Sequence, residues 1–231
     1  MENNVNTTEN ASNEEQSKPL KQGAVMPSLR VDKYNVIYVD PPWKIKAGRP
    51  LKGYKMESGK QLFIPTSNKS RDTEYPSMTI EQIKALKVSE ITADDAHLYM
   101  WVTNSHLPYA FEIIKHWGFE YSTTIVWAKN RMGGGLGGTF KITTEYLLFA
   151  KKGKLKALKT IDSTWHNVKR TYENGYPKHS KKPDYFYELI EQTSPGLKLE
   201  MFARQKREGW HIWGNELQND VELETECSDE A

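Results

Sequence analysis

Four residues, Asp40-Pro41-Pro42-Trp43, follow the apolar run Val36, Ile37, Tyr38, Val39 and carry the clearest chemistry in the sequence. An amino group conjugated with an aromatic ring, such as that of a nucleobase, is a weak nucleophile because its lone pair is delocalised. A carboxylate accepting one N–H and a backbone carbonyl accepting the other would hold that nitrogen. Both contacts favour the positive charge that develops as the nitrogen attacks an electrophile. Proline fixes φ and restricts the residue before it, so Asp-Pro-Pro is a stiff mount for two acceptors. The catalytic candidates are therefore Asp40, Pro41 through its carbonyl, Pro42 as the brace and Trp43 as a ring that stacks on the base. A plain strand-ending turn uses the same residue types, so the surroundings must decide.

Strand-like and helix-like runs alternate around the quartet. Residues 35–40 read as a strand. "MTIEQIKAL" reads as a helix, with Thr79 and Gln82 spaced as a capping box. "AHLYMWVT" is a buried strand. "LPYAFEIIKHWG" is a helix that places Leu107, Phe111, Ile114 and Trp117 on one face, with Pro108 near its start and Gly118 near its end. "FEYSTTIVWAK" and "TTEYLLFAKKG" are strands, separated by the glycine-rich "NRMGGGLGGTF". Pro183 opens a helix presenting Phe186, Leu189 and Ile190, which "SPG" ends. "LKLEMFA" and "WHIWG" are short closing strands. This order predicts an α/β sandwich around a mostly parallel sheet. Ligands of such sheets sit outside the carboxyl ends of strands, where Asp40 and the segment after Phe202 both fall.

The chain has 231 residues, enough for one domain with a sizeable core. No apolar run reaches membrane-spanning length, and the polar N-terminal stretch lacks the apolar segment of a signal peptide. Cys227 is the sole cysteine, which excludes an internal disulfide framework and a cysteine-rich zinc site. The expectation is an intracellular, cytoplasmic protein, nucleoid-associated if bacterial, with no metal and no membrane partner. Residues 1–25 and 218–231 read as disordered tails, polar and acidic respectively, flanking a domain over 26–217. Residues 1–20 hold four acids and one Lys, and 218–231 hold six acids and no base, so the +2 of the whole chain leaves +11 on residues 21–217. A basic body between acidic tails suggests a polyanionic partner.

The quartet, together with "EYPSMTIEQI", "LYMWVTNSH", "WGFEYSTTIVWAKN", "HSKKPDYFYELIEQTSPG" and "LEMFARQKREGWHIWGNEL" in that order, resembles the DPPW-type adenine-N6 methyltransferases related to the catalytic subunit of mRNA adenosine methyltransferase. The resemblance covers about residues 34–217, in the compact form of bacterial and phage members. It implies a Rossmann-like sandwich, S-adenosylmethionine as methyl donor, and a permuted order in which the catalytic turn precedes the donor-binding strand. Carried over residue by residue, it implies a donor site of Asp40, Ser180, Lys182, Glu200, Met201, Phe202, Arg204, Asn215 and Glu216. Lys182 would meet the donor carboxylate, while Arg204, Asn215 and Glu216 would meet ribose and adenine. The chain departs from its eukaryotic relatives at Glu216, where they carry Gln, and at Lys206, where they carry His. An acidic-apolar pair that contacts donor adenine in those relatives has no match here.

The loop expected over 44–71 holds eight basic residues, among them Lys44, Lys46, Arg49 and Lys52, against one acid, Glu57. Joined to a catalytic turn, it reads as a phosphate clamp. Tyr75 matches a family tyrosine near the target base, and Trp127 is a further candidate for stacking. Lys151 to Lys159 and Lys169 to Lys182 would extend the footprint. A duplex substrate would need its adenine flipped out. DNA is favoured over RNA, with RNA methylation, cytosine-N4 or glutamine methylation and a non-catalytic nucleic-acid-binding subunit as alternatives. Family members often pair, which leaves open a homodimer or a heterodimer with a methyltransferase-like subunit.

Overall fold

Tyr34–Val39 forms β1, a strand buried on both faces. Val36 and Tyr38 enter one core layer, Ile37 and Val39 the other. The computed structural model that shows this describes residues 33–44, 52–57, 60–65, 77–129, 139–169, 172–173, 176–177 and 181–223, all within the compact unit Val31–Ala231. Over 52–57, 60–65, 172–173 and 176–177 it describes the backbone alone.

The remaining elements follow in chain order. They are β2 (Lys52–Glu57), β3 (Lys60–Pro65), α1 (Ile80–Lys84), α2 (Val88–Ile91), β4 (Thr92–Val102) and a 3-10 turn Asn104–His106. After these come α3 (Leu107–His116), β5 (Glu120–Lys129), β6 (Thr144–Lys152), β7 (Trp165–Val168), β8 (Tyr172–Glu173), β9 (Tyr176–Pro177), α4 (Tyr185–Thr193), β10 (Lys198–Met201) and β11 (Trp210–Trp213). The main sheet has seven strands in the order β11-β10-β1-β4-β6-β5-β7. Every strand but β6 runs the same way, and β6 lies antiparallel between β4 and β5. This is the mostly parallel, Rossmann-like sandwich expected. α1, α2 and α3 cover one face with Ile83, Val88, Ile91, Ala110, Ile113 and Ile114. α4 covers the other with Phe186, Leu189 and Ile190. Both faces must be covered because parallel strands are apolar on both sides. The capping box at Thr79 and Gln82 is formed in both directions.

Several sequence expectations need correction. On α3 the buried column is Ala110, Ile113, Ile114 and the following Trp117, whereas Phe111 is exposed and lies edge-on to Tyr121. The sheet covers the neighbouring column of the same helix, and Phe111 finds a ring on β5 instead. The stretch expected as a loop over 44–71 contains the antiparallel pair β2–β3. Its Ser58-Gly59 connection is a hairpin signal in the sequence. Short β7 extends the sheet beside β5. The chain after residue 217 also continues into the fold. The Asp220 N–H donates to the Ile212 carbonyl at 2.9 Å, the Ile212 N–H donates to Asp220 Oδ2 at 3.0 Å, and Val221 is buried. Residues 218–223 thus cap the exposed edge of β11 and blunt it against further strand pairing.

Candidate active site at the carboxyl edge of the sheet

The parallel strands all end at one edge, and β6 begins there. Val39 stands opposite Met100 and Met201, so Asp40 leaves β1 level with Trp101 on β4 and Phe202 after β10. Lys182, just ahead of α4, reaches the same place. Its ammonium donates to Asp40 Oδ2 at 2.6 Å, lies 3.5 Å from Glu145 Oε2 and sits 5.3 Å from the centre of the Trp101 ring. Glu145 pairs in turn with Lys129. The edge therefore carries an alternating row of charges: Lys129, Glu145, Lys182, Asp40. Burial opposes the Lys182 ammonium, yet Asp40 and Glu145 hold it above the ordinary lysine value. Burial likewise opposes the Glu145 carboxylate, and Lys182 and Lys129 hold it below the ordinary range. For Lys182 and Glu145 the cost of burial is thus offset by opposite charges on either side.

The turn itself is clipped on both sides. The Pro41 carbonyl accepts the Trp43 N–H at 2.8 Å, which leaves its second lone pair for another donor. The Pro42 carbonyl accepts the Met78 N–H at 2.9 Å, tying the turn to the entry of α1. Trp43 is not an open stacking platform, as the sequence reading had it. Only 8 % of it is exposed, its indole N–H donates to the Trp101 carbonyl at 3.1 Å, and the His106 ring stacks on it. Lys44 is exposed directly after it.

Glu200, the penultimate residue of β10, lies beside this row. The Tyr187 O–H donates to its Oε1 at 2.6 Å, while Oε2 is buried with no hydrogen-bond partner among the described residues. Burial pushes the carboxyl up to about 7, with the Asp40 charge adding to it. Phe202, the second residue on, has φ of 63°, a left-handed conformation that costs a bulky residue about 1–3 kcal/mol and that clusters at ligand sites. A side chain on Gly214 would come within 2.9 Å of the Ala203 N, so glycine lets the exits of β10 and β11 pass closely. Arg204 Nε and Glu216 Oε1 stand 3.6 Å apart there, with Asn215 exposed beside them. The Met201 side chain is fully buried in the core, and its role is packing.

Trp127 is also a core residue rather than a base contact. It is 3 % exposed, packs edge-on to Trp101 and Phe186, and donates its indole N–H to the Val168 carbonyl at 2.8 Å. Ser180, Tyr75, Lys46 and Arg49 lie outside the described residues, and Lys52 is described by its backbone at the start of β2. Sequence reasoning missed Glu145, Lys129 and His106. The one available signal was a glutamate at the head of the otherwise apolar run "EYLLFA".

A carboxylate on a rigid turn, a lysine bound to it and a second carboxylate with an unmatched oxygen form a ligand site at the carboxyl edge of a Rossmann-like sheet, and the sequence comparisons give its class, a methyltransferase. The chain belongs to the MT-A70 family, whose sequence profile matches residues 34–216. It is 34 % identical over 214 residues to the type II methyltransferase M.MunI of Mycoplasma sp., covering 87 % of this chain and 86 % of that one. It is 26 % identical over 197 residues to the human N(6)-adenosine-methyltransferase catalytic subunit METTL3, covering 80 % of this chain and 28 % of that one. The N(6)-adenosine-methyltransferase MT-A70-like protein of Arabidopsis thaliana is 26 % identical over 210 residues, covering 85 % and 26 %. The chain thus spans most of the first relative and about a quarter of the other two.

Proposed function

We propose that this chain transfers the methyl group of S-adenosylmethionine to the N6 amino group of adenine in DNA. The observation that carries the reading is Asp40, fixed on the Asp-Pro-Pro turn with the Lys182 ammonium 2.6 Å from one of its oxygens. One Asp40 oxygen and the free lone pair of the Pro41 carbonyl are the two acceptors that an amino nitrogen needs. They orient its lone pair and stabilise the cation formed on attack. The proton then passes to water. A strong base is not needed before transfer, because the nitrogen becomes acidic only once it carries the methyl group.

The residues present fit the donor. Bound, it supplies an electrophilic methyl group on a sulfonium. Lys182 would meet its carboxylate. The unmatched Oε2 of Glu200 is an acceptor awaiting a donor or a cation. Arg204, Asn215 and Glu216, at the exits of β10 and β11, would meet the ribose and adenine. Lys44 and the basic residues after it would hold phosphates. DNA is favoured because the match that spans nearly all of both chains is to a type II methyltransferase, whereas the adenosine methyltransferases are matched over about a quarter of their length. The names of those longer relatives support RNA as the second reading.

The test is incubation with labelled S-adenosylmethionine and matched DNA and RNA oligonucleotides, single- and double-stranded, with digestion to nucleosides. N6-methyladenine in DNA, lost in Asp40→Ala, is the expected result. Full activity in Asp40→Ala overturns the mechanism, and product in RNA alone overturns the DNA assignment.

A further inference from the structure

Because β6 is reversed, its carboxyl end lies at the edge of the sheet opposite the catalytic turn. Lys151, Lys152, Lys154, Lys156 and Lys159 follow one another there with no acid between them. The segment is held by its backbone. The Lys154 N–H donates to Asp95 Oδ1 at 2.5 Å, His97 Nε2–H donates to the Leu155 carbonyl at 3.1 Å, and the Leu158 N–H donates to the Thr193 carbonyl at 2.8 Å. Gly153 turns the corner at φ of 64°, where a Cβ would collide with the Asp94 carbonyl. Lys151, Lys154, Lys156 and Lys159 are exposed. Among the described residues none of the five forms an ion pair, although Glu120 stands across from Lys151 in the ladder.

We propose that this lysine strap is a second contact surface for the nucleic-acid backbone, separate from the one at the catalytic edge. This rests on the reading of nucleic acid as substrate. Five cations on a pinned backbone form a track that a polyanion engages without first ordering a loop. The strap offers ammonium point charges and neither the planar fork of Arg nor the amides of Asn and Gln, a chemistry suited to positioning phosphates more than to reading sequence. Distance separates it from the active site. Glu145 and Lys152 lie at opposite ends of β6, about 24 Å apart at strand rise. A duplex held at Asp40 reaches the strap only through flanking DNA, on the order of seven or more base pairs away. The strap therefore does not enlarge the catalytic footprint, as the sequence reading had it, but adds a distant one.

The experiment uses the full chain with Lys151, Lys154, Lys156 and Lys159 all changed to Gln, checked for an unchanged thermal midpoint. Random-sequence duplexes of about 12 and about 40 base pairs are compared by anisotropy across a salt series and by methyl incorporation. On the longer duplex the variant should bind at least tenfold more weakly, its log K against log salt slope shallower by about 3. On the shorter duplex its kcat and KM should match the wild type. Equal losses at both lengths, or none at either, overturn the proposal. So does lost binding to phosphatidylserine vesicles with unchanged affinity for the longer duplex, which would assign the strap to a lipid surface. A wild type inactive on every duplex would defeat the methylation reading, while the binding comparison would still decide the strap.

Discussion

The imidazole of His106 lies flat against the indole of Trp43, their centres 5.1 Å apart and their planes 20° from parallel. The same ring spans two segments. Its Nε2–H donates to the Lys44 carbonyl at 3.3 Å, and its Nδ1 accepts from Thr103 Oγ1 at 2.8 Å. The segment after β4 thereby grips the exit of the Asp-Pro-Pro turn through one neutral imidazole, whose pKa burial lowers. His106 is a positioning residue on this geometry. His106→Ala should reduce kcat about tenfold and leave the KM for donor nearly unchanged. His106→Phe, which restores the ring and not the bond to Lys44, should recover part of the loss. Equal kcat in wild type and His106→Ala would assign the contact to packing alone.

The bond between Lys182 and Asp40 makes a sharper prediction. Lys182→Met would leave Asp40 and Glu145 facing each other with the cation between them gone, the costly case for buried charge. Methyl transfer should fall by about 10²–10³-fold, the scale of losing one preorganised electrostatic partner. Glu145→Gln keeps the bond to Asp40 and removes the other brace of the ammonium, so a smaller loss of about tenfold is expected. Donor affinity by calorimetry separates the roles, because Lys182→Met should weaken it and Glu145→Gln should weaken it less. Glu145→Gln as damaging as Lys182→Met would mean that the glutamate itself meets a substrate.

The proposed catalytic turn was legible because its chemistry is contiguous: neighbouring residues supply two acceptors and their brace, while Trp43 anchors the turn in the core. Lys182 and Glu200 were legible through motif, and the alternation of strands and helices gave the layers. What local sequence cannot carry is direction and partnership. Nothing in "TTEYLLFAKKG" states that β6 runs backwards, yet that reversal brings Glu145 to the active edge and sends Lys151–Lys159 away from it. Trp43 and Trp127 read equally well as stacking rings or as core, and only neighbours from β4, the 3-10 turn after it, β7 and α4 decide. Residues 218–223 read as tail because the segment 218–231 holds six acids and no base, but Asp220 spends its carboxylate on the Ile212 N–H.

Glu200 gives a pH dependence with a definite sign. Its carboxyl titrates near 7 in the fold and near the ordinary glutamate value when unfolded, chiefly because burial disfavours the anion. Between those values the folded state holds the extra proton, so stability from this group is full below about 4.5 and is lost as pH rises through about 7. Glu200→Gln should flatten that part of the curve and raise the melting midpoint at pH 8 relative to the wild type. A saturating donor that engages the carboxylate should do likewise in the wild type and have less effect in the variant. Unchanged midpoints at pH 8 in Glu200→Gln would show that the carboxylate is solvated in the free protein.

His97 predicts the opposite limb. The Tyr99 O–H donates to Ser194 Oγ at 2.8 Å, and the Ser194 O–H donates to His97 Nδ1 at 2.7 Å. The Leu155 carbonyl can only accept, so the proton sits on Nε2 and a single neutral tautomer satisfies the whole chain. Burial lowers the His97 pKa, and the nearby Lys151 charge lowers it further. A histidine depressed in the fold contributes stability that is full above its unfolded pKa near 6.5 and is lost as pH falls through the folded value. The share of wild-type stability held by His97 should therefore decline on acidification from 7 towards 5, against the opposite contribution of Glu200 over the same range. His106 and His166 are lowered by burial as well and share in the decline. His97→Ala should cost about 1–3 kcal/mol at pH 7.5, since it strands buried hydroxyls, and its stability should fall less steeply over the same pH range. Urea melts at pH 7.5 and 5.5 measure both quantities. A variant that keeps the full wild-type decline would place the acid sensitivity outside this network.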